Sequence, residues 1–381
     1  MNIVDLFSGA GGLTFGFYYN LNNNRFIKRD NVFLFANEID SNAANAFSLN
    51  FPDINILCED IKKIDENRIK ELIGTQEVDV IIGGPPCQSY SFIGKRRYDD
   101  KAQMYKEYLK MLYIIQPKMF VFENVKGILS MKNSDGVLIM DEIQKKFGEI
   151  ENKHGYRIQY KTLNASDYGV PQNRERVVII GVRKDLNINF EFPNPTVERK
   201  ITLKEAISDL PSITYESNSK TYKRGKPTFY QSLMKQNNKI LSFHSTSRHS
   251  EKLEVVMQNV RCGEGKDDFN KLIDDGIIDE RYRLTSGYHN TYGRLEPNKP
   301  CTTITNNFTS PSCLRCIHYN QNRPLSIREG ARIQSFPDTF NFFGNEGDIK
   351  RQIGNAVPPL LAIAIATAIE AAIGGEKYAN E

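Results

Sequence analysis

The stretch Ile3-Val4-Asp5-Leu6-Phe7-Ser8-Gly9-Ala10-Gly11-Gly12 decides how the rest of the chain is read. An apolar run ends in an acid and then in a glycine cluster. Between a strand and a helix, such a loop lets backbone approach a ligand where Cβ atoms would collide. The glycines do not have the GxGxxG spacing of a dinucleotide site, and no Walker lysine follows them. Residues 3–7 of this stretch read as the first strand, and outward from it residues 32–36, 53–57, 78–82, 119–122 and 177–182 read as further strands, with helical patterns over 101–115 and 136–147. Strands alternating with helices predict an α/β fold on a mostly parallel sheet.

At about 150 residues per domain, 381 residues predict two domains. Hydrophobic residues at 40% and charged residues at 25% exclude a disordered or fibrous chain. A net charge of +4 does not announce a nucleic-acid partner, although it allows a local basic groove. The six cysteines are scattered, and the N-terminus runs straight into the first strand without a secretory leader, so a reduced cytoplasmic setting is expected. The most apolar stretch, 360–369, is stopped by Glu370, short of the ~18 to 20 residues that cross a bilayer. It is expected to be a buried helix.

From residue 184 the sequence becomes rich in Pro, Ser, Asn and Lys, with short helical patches at 203–210 and 251–260, and predicts a smaller, irregular domain over 184–323. Compact sequence returns with helices expected at 325–336 and 358–373, the latter closing against the sheet. The large domain is thus expected to be discontinuous, 1–183 with 324–381. Gly330 falls inside the first of these helices, at a propensity cost of up to ~1 kcal/mol and with no functional reason.

Asp5, Glu38 and Asp60 follow three successive strands, as ligands of an adenosine-bearing cofactor with a cationic or amino-acid part or simply as helix caps. Phe7 either stacks on a flat ring or plugs the core. The fourth strand runs into Pro85-Pro86-Cys87-Gln88-Ser89-Tyr90-Ser91, where the turn-rich, polar frame marks Cys87 as a nucleophile rather than a small buried hydrophobe. Glu123-Asn124 ends the fifth strand, and Arg174 and Arg176 alternate in the segment leading to the last one. Cys313 and Cys316 form a C-x-x-C without a second pair, and Cys301 and His318 are weak extra ligands by spacing, so no metal site is expected.

Taken in order, FSGAGG, GGPPCQSYS, ENVKG, QNRERV, REGARIQSFPD (328–338) and QIGNAVPP (352–359) resemble the motif set of DNA (cytosine-5) methyltransferases of the bacterial restriction-modification type. The resemblance covers 1–183 and 291–374. It implies a Rossmann-like S-adenosylmethionine-dependent methyltransferase sheet, with the intervening part as the variable target-recognition domain and DNA in the cleft between the two. The cofactor is implied to sit on Phe7, Ser8, Gly9, Ala10, Gly11 and Gly12. Glu38 would face its ribose hydroxyls and Asp60 its adenine amino group, with Ile39, Ile61, Gly83, Pro85, Asn355 and Ala356 around them; Asn355 would also brace the substrate side.

Cys87 would add to carbon 6 of a flipped-out cytosine, Glu123 would bind N3 and the exocyclic amine, and Arg176, grouped with Arg174, would hold the carbonyl at position 2. The segment 88–101 reads as a loop closing over DNA, with Gln88, Ser89, Ser91, Lys95, Arg96 and Arg97 as contacts. Thr303 and Thr305 would touch the DNA backbone. Arg224, Arg248 and Arg283, with Lys226, His244, His249 and Arg281, are candidate base readers, phosphate anchors or solvated charges. The product would be S-adenosylhomocysteine, with no metal required. The resemblance further implies a monomer, nucleoid-associated when on DNA, that shares its role with a cognate restriction endonuclease without a stable complex. Two alternatives stand beside it: a transfer-RNA cytosine-5 methyltransferase, against which the large recognition region speaks, and a catalytically silent DNA-binding regulator, against which Cys87, Glu123 and Arg176 speak.

Overall fold

A computed structural model describes residues 1–86, 103–217 and 219–379, with side chains to 375. Its first elements are β1 (Asn2–Leu6), α1 (Gly12–Tyr18), β2 (Tyr19–Asn22), β3 (Arg25–Lys28), β4 (Val32–Asn37), α2 (Ser41–Asn50), β5 (Ile56–Leu57) and α3 (Glu66–Ile73). There follow β6 (Val80–Gly83), α4 (Tyr105–Ile115), β7 (Met119–Asn124), α5 (Ile139–Gly148), β8 (Tyr156–Asn164) and β9 (Glu175–Arg183). Then come α6 (Leu203–Ile207), α7 (Phe229–Lys235), α8 (Glu251–Asn259), α9 (Lys266–Asp274), α10 (Ile327–Ile333), α11 (Glu346–Asn355) and α12 (Pro359–Ala379).

Seven strands form one sheet in the order β5-β4-β1-β6-β7-β9-β8, parallel from β5 to β7, with β9 running against both its neighbours. The central strands β6 and β7 are buried along their whole length, in keeping with the apolar runs of β6 and of residues 119–122 in β7. The chain leaves β1 toward β4 on one side, and β6 lies on the other, so the carboxyl end of β1 is the topological switch point. The sheet order therefore gathers Phe7, Glu38, Gly84 and Glu123 at one edge.

Two sequence expectations change here. The strand expected over 53–57 shrinks to Ile56–Leu57, because the Asp53 carboxylate is held by the Tyr18 hydroxyl and the Lys28 ammonium. Strand β8 has no clear signal in the sequence: it lies at the sheet edge, its burial alternates irregularly, and its polar residues give a weak period.

The chain divides into two compact units. The first is Met1–Tyr168, Glu175–Thr196 and Pro359–Glu381; the second is Gly169–Arg174 and Val197–Pro358. The expected boundary therefore moves, since 324–358 packs with the second unit. In the first unit, the apolar C-terminal stretch is a core helix: Leu361, Ala362, Ala366 and Ile369 of α12 are fully buried. Gly16 of α1 lies so close to the backbone of Ala362 that any side chain there would overlap it.

The second unit starts its helices with local signals. Thr202 with Glu205, Thr228 with Gln231, Ser326 with Glu329 and Asn345 with Asp348 each form a reciprocal capping box. Its core contains charge. Arg332 of α10 binds Asp338 and Asp209, and Arg323 grips Glu329 with two bonds of 2.7 Å each. Those pairs act beside the buried Ala331 and Ile333 in holding α10 in this unit. Gly330 acquires its reason here, because a Cβ on it would overlap the Phe308 ring. Val256, Val260, Phe269, Ile273, Leu284 and Tyr292 form a small separate core around α8 and α9.

Candidate active site

The loop after β1 turns by left-handed backbone. Phe7 has φ +56°, Gly9 +56° and Gly11 +95°. For Phe7 this conformation is costly, and such outliers persist where surrounding structure holds them, often at functional sites. Gly11 is doubly constrained, since a side chain would also strike the Phe51 ring. Around a Cβ placed on Gly9 there is nothing within 4 Å, so this turn of the loop faces open space.

Glu38 fastens the loop to the end of β4: Oε2 accepts from the Gly9 N–H and Oε1 from the Asp40 N–H, both at 2.8 Å. Burial raises the Glu38 pKa above its ordinary value, against the lowering effect of those two N–H donors. Beside it, Ile39 is 65% exposed, an apolar side chain left uncovered at a strand end. The Ser8 N–H donates to the Asn37 carbonyl at 3.0 Å, and the Asn37 amide in turn reaches the carbonyls of Leu57 and Glu59. Asn37 is a bracing residue with no sequence signal of its own beyond directly preceding Glu38.

Several expected cofactor residues also have structural roles. Ile61 is buried in the core, Ala10 is likewise enclosed, and Gly12 opens α1 as a buried residue. Asp60 caps a single helical turn through the Lys62 N–H at 3.1 Å, as the capping alternative has it. Gly83 is demanded by the sheet, because a Cβ would stand 2.7 Å from the Leu6 carbonyl oxygen.

At the next strand ends, the Asn124 side-chain amide donates to the Pro85 carbonyl at 3.2 Å and its oxygen accepts from the Val125 N–H at 2.9 Å. Asn124 thus ties the exit of β7 to the turn after β6. Glu123 faces β9, whose Val178 is its ladder partner. Its Oε1 lies 3.1 Å from Nε of Arg176, with the two side chains only 10% and 12% exposed. Arg176 also donates to the Glu175 carbonyl at 2.7 Å. A Cβ on Gly84 would stand 3.0 Å from Oε2 of Glu123, so glycine there leaves the carboxylate its room. A desolvated acid-guanidinium pair with a polar turn beside it can bind a planar ring having both donors and acceptors on one edge. Cys87, together with Gln88, Ser89, Ser91, Lys95, Arg96 and Arg97 of the expected closing loop, lies outside the described residues.

Arg174 parts company with Arg176. It is 1% exposed and donates to the carbonyls of Ile304, Gly354 and Ala356 at 3.1, 2.8 and 2.9 Å. It is a structural tie within the second unit, which corrects its grouping with the catalytic set. Ala356 thereby serves through its carbonyl, while Asn355 beside it is exposed.

The candidate DNA contacts also sort themselves. His244 is buried between Ser326 and the Pro211 carbonyl, which removes it from the readers. Arg283 is paired with Asp274 and Glu280, and Arg281 with Glu251. Arg248 lies over the Tyr215 ring at 5.5 Å, His249 is half-buried, and Arg224 and Lys226 are exposed. The Thr303 hydroxyl donates to the Asn173 carbonyl at 2.8 Å, and Thr305 is half-buried. Among the described residues no cluster of His, Cys, Asp or Glu is arranged to hold a metal. Burial pushes the Cys301 thiol up to about 12, and the Cys316 thiol donates to the Ser310 carbonyl at 2.8 Å.

A mostly parallel seven-stranded sheet with one reversed strand, a glycine loop after β1 and acids at the following strand ends defines the S-adenosylmethionine-dependent methyltransferase class of fold. More narrowly, the chain belongs to the C-5 cytosine-specific DNA methylase family, whose model matches residues 1–371. Over 97% of its length it is 35% identical to the Type II methyltransferase M.DdeI of Desulfomicrobium norvegicum, covering 88% of that protein. It is 34% identical, again over 97%, to M1.HphI of Haemophilus parahaemolyticus, covering 86%. A putative DNA modification methyltransferase encoded within an E. coli prophage matches in structure with a TM-score of 0.73 and 27% identity, over 98% of this chain and 99% of that one. The Entamoeba histolytica methyltransferase EhMeth shares the fold at a TM-score of 0.56 and 16% identity, over 98% of each chain. The activity is therefore DNA cytosine-5 methylation.

Proposed function

We propose that the enzyme takes the methyl group from S-adenosylmethionine and places it on carbon 5 of a cytosine rotated out of duplex DNA, using Cys87 as a transient covalent nucleophile. The observation that carries this reading is the enclosed Glu123–Arg176 pair beside a turn whose Pro85 carbonyl is held by Asn124.

The strand-end loop fits the cofactor. Gly9 faces open space, Glu38 keeps lone pairs for ribose hydroxyls beyond its two backbone bonds, and Ile39 offers an uncovered apolar surface to a flat base. When bound, S-adenosylmethionine supplies an electrophilic methyl group on a positively charged sulfur.

Carbon 5 of cytosine is too weak a nucleophile to take that methyl group unaided. The Cys87 thiolate forms a bond to carbon 6, and the displaced ring electrons raise the charge on N3 and on the ring oxygen. Glu123 in its protonated form donates to N3 and accepts from the exocyclic amine, and Arg176 donates to the oxygen; in a site with little water both donations strengthen as the charge grows. After carbon 5 has bonded to the methyl group, a base removes its proton, the electrons return to the ring, and the sulfur–carbon bond breaks to release the thiolate. Rotating the cytosine out costs a few kcal/mol of stacking and pairing, recovered in part by these contacts.

Relatives named as Type II methyltransferases support a role at one short DNA sequence, as the modification half of a restriction-modification system. In that role the enzyme acts as a monomer that visits each strand separately and forms no stable complex with its endonuclease.

The test is transfer of labelled methyl groups to unmethylated duplex DNA and, in parallel, to transfer RNA, with base-resolution mapping. Incorporation at one recurrent DNA sequence is expected. Incorporation only into RNA, or a folded Cys87→Ala variant that methylates at the wild-type rate, overturns the reading.

A further inference from the structure

Asp5 sits at the carboxyl end of β1, just ahead of the Phe7–Gly12 loop, and is 1% exposed. The Thr14 hydroxyl of α1 donates to its Oδ2. Its Oδ1 is enclosed and has no hydrogen-bond partner. A buried carboxylate normally gathers several donors; this one has a single hydroxyl. Its ladder neighbours are Ala36 of β4 and Ile82 of β6. Among the described residues, the titratable groups that act on it are the Glu38 carboxyl just beyond β4 and the Tyr108 phenol of α4, neither of them a cation. Burial, reinforced by Glu38 and opposed by the Thr14 bond, pushes the Asp5 carboxyl up to about 8.

We propose that Asp5 is a proton-linked counter-ion for the cofactor: it carries a proton in the free enzyme and gives it up when a cationic group settles on the Phe7–Gly12 loop. The inference rests on reading that loop as the cofactor site. Its physical basis is that an uncompensated carboxyl in a poorly screened interior responds strongly to a nearby charge. A cation at the loop favours the ionised form, so binding releases a proton and tightens as pH rises. Asp5 is a charge-compensating residue, buried at the end of β1 just ahead of the loop. The cofactor brings two positive centres, an ammonium and a sulfonium, and either supplies the required charge.

The test uses the full chain and isothermal titration calorimetry near pH 7 in buffers of different ionisation enthalpy. S-adenosylmethionine, S-adenosylhomocysteine and methylthioadenosine are the three probes. S-adenosylmethionine is expected to release roughly 0.5 to 1 proton, and its Kd to fall by up to ~tenfold per pH unit between about pH 6 and 8, flattening above. Release with S-adenosylhomocysteine as well, but not with methylthioadenosine, assigns the effect to the ammonium; release with S-adenosylmethionine alone assigns it to the sulfonium. Both support the proposal.

Asp5→Asn, which keeps the neutral shape, is expected to fold normally and to lose both the proton release and the pH slope. Thr14→Val, which removes the hydroxyl donor to Oδ2, is expected to move the upper bend of the slope to higher pH. Cofactor binding without proton release, or release that persists in Asp5→Asn, overturns the proposal alone. If S-adenosylmethionine does not bind at all, the cofactor reading falls and the proposal with it.

Discussion

Arg176 and Arg332 are both enclosed arginines opposite a carboxylate, and the difference between them separates a reactive site from a scaffold. All five N–H groups of Arg332 are taken: two reach Asp338, two Asp209 and one the Ala206 carbonyl. Its side chain is fully buried. Arg176 keeps slight exposure and engages Glu123 and the Glu175 carbonyl, with donor capacity left for a ligand oxygen. A guanidinium whose donors are all satisfied by protein can only hold protein together. One with donors to spare, at the mouth of a sheet, can meet a substrate.

The largest effect expected from breaking this contrast is on stability. Arg332→Leu takes from Asp209 its buried partner and leaves Asp338 with the more distant Arg328 at 3.8 Å, and should cost ~3–5 kcal/mol, read as a lower denaturation midpoint. A midpoint within experimental error of wild type would show that the network is not structural. Next in size, Glu123→Gln should lower single-turnover methyl transfer by ~10²-fold or more, about 2.7 kcal/mol of barrier, with little change in melting temperature. An unaltered rate would place Glu123 with the scaffold.

Gly330→Ala should destabilise by ~1–3 kcal/mol, because overlap with the Phe308 ring outweighs the better helix propensity of alanine. A stabilised variant would mean that the ring moves aside freely.

A pH titration sharpens the comparison further. Burial alone would raise the Glu329 pKa, but Arg323 and His318 outweigh it and hold the group well below its ordinary value of 4.5. A folded-state pKa below the unfolded one contributes stability that is complete above about 4.5 and is lost as pH falls toward the folded value. Acid unfolding followed by circular dichroism should therefore show a falling limb below about pH 4.5 that flattens in Glu329→Gln. The smallest effect belongs to Arg283→Ala. Its charge is already matched by Asp274 and Glu280, so DNA affinity should change less than ~twofold, the exposed-pair range. A larger loss with a reduced salt slope would return Arg283 to the phosphate contacts.

Much of the first unit was legible in the chain. The expected strand at the glycine loop differs from β1 by one residue at each end, and the acid placed after the second strand, Glu38, does stand at a strand end. These are local properties: apolar runs of strand length, glycines where φ turns positive, and acids where strands stop. The sequence alone also bore the ordered motifs, since each one is a short contiguous stretch whose residue types must occur together to shape a turn.

Only the tertiary structure decided which of two arginines, two positions apart, belongs to the site. Arg174 is captured by carbonyls of Ile304, Gly354 and Ala356, far along the chain, whereas Arg176 meets Glu123 through an antiparallel pairing that no local pattern encodes. The same holds for Gly330, explained by Phe308, for His244, buried against Ser326, and for α10, drawn into the second unit by Asp209. Backbone preference is set within a few residues of sequence. The fate of a charge is set by whichever partners the fold brings to it, because a buried ion is tolerated only where donors and acceptors surround it.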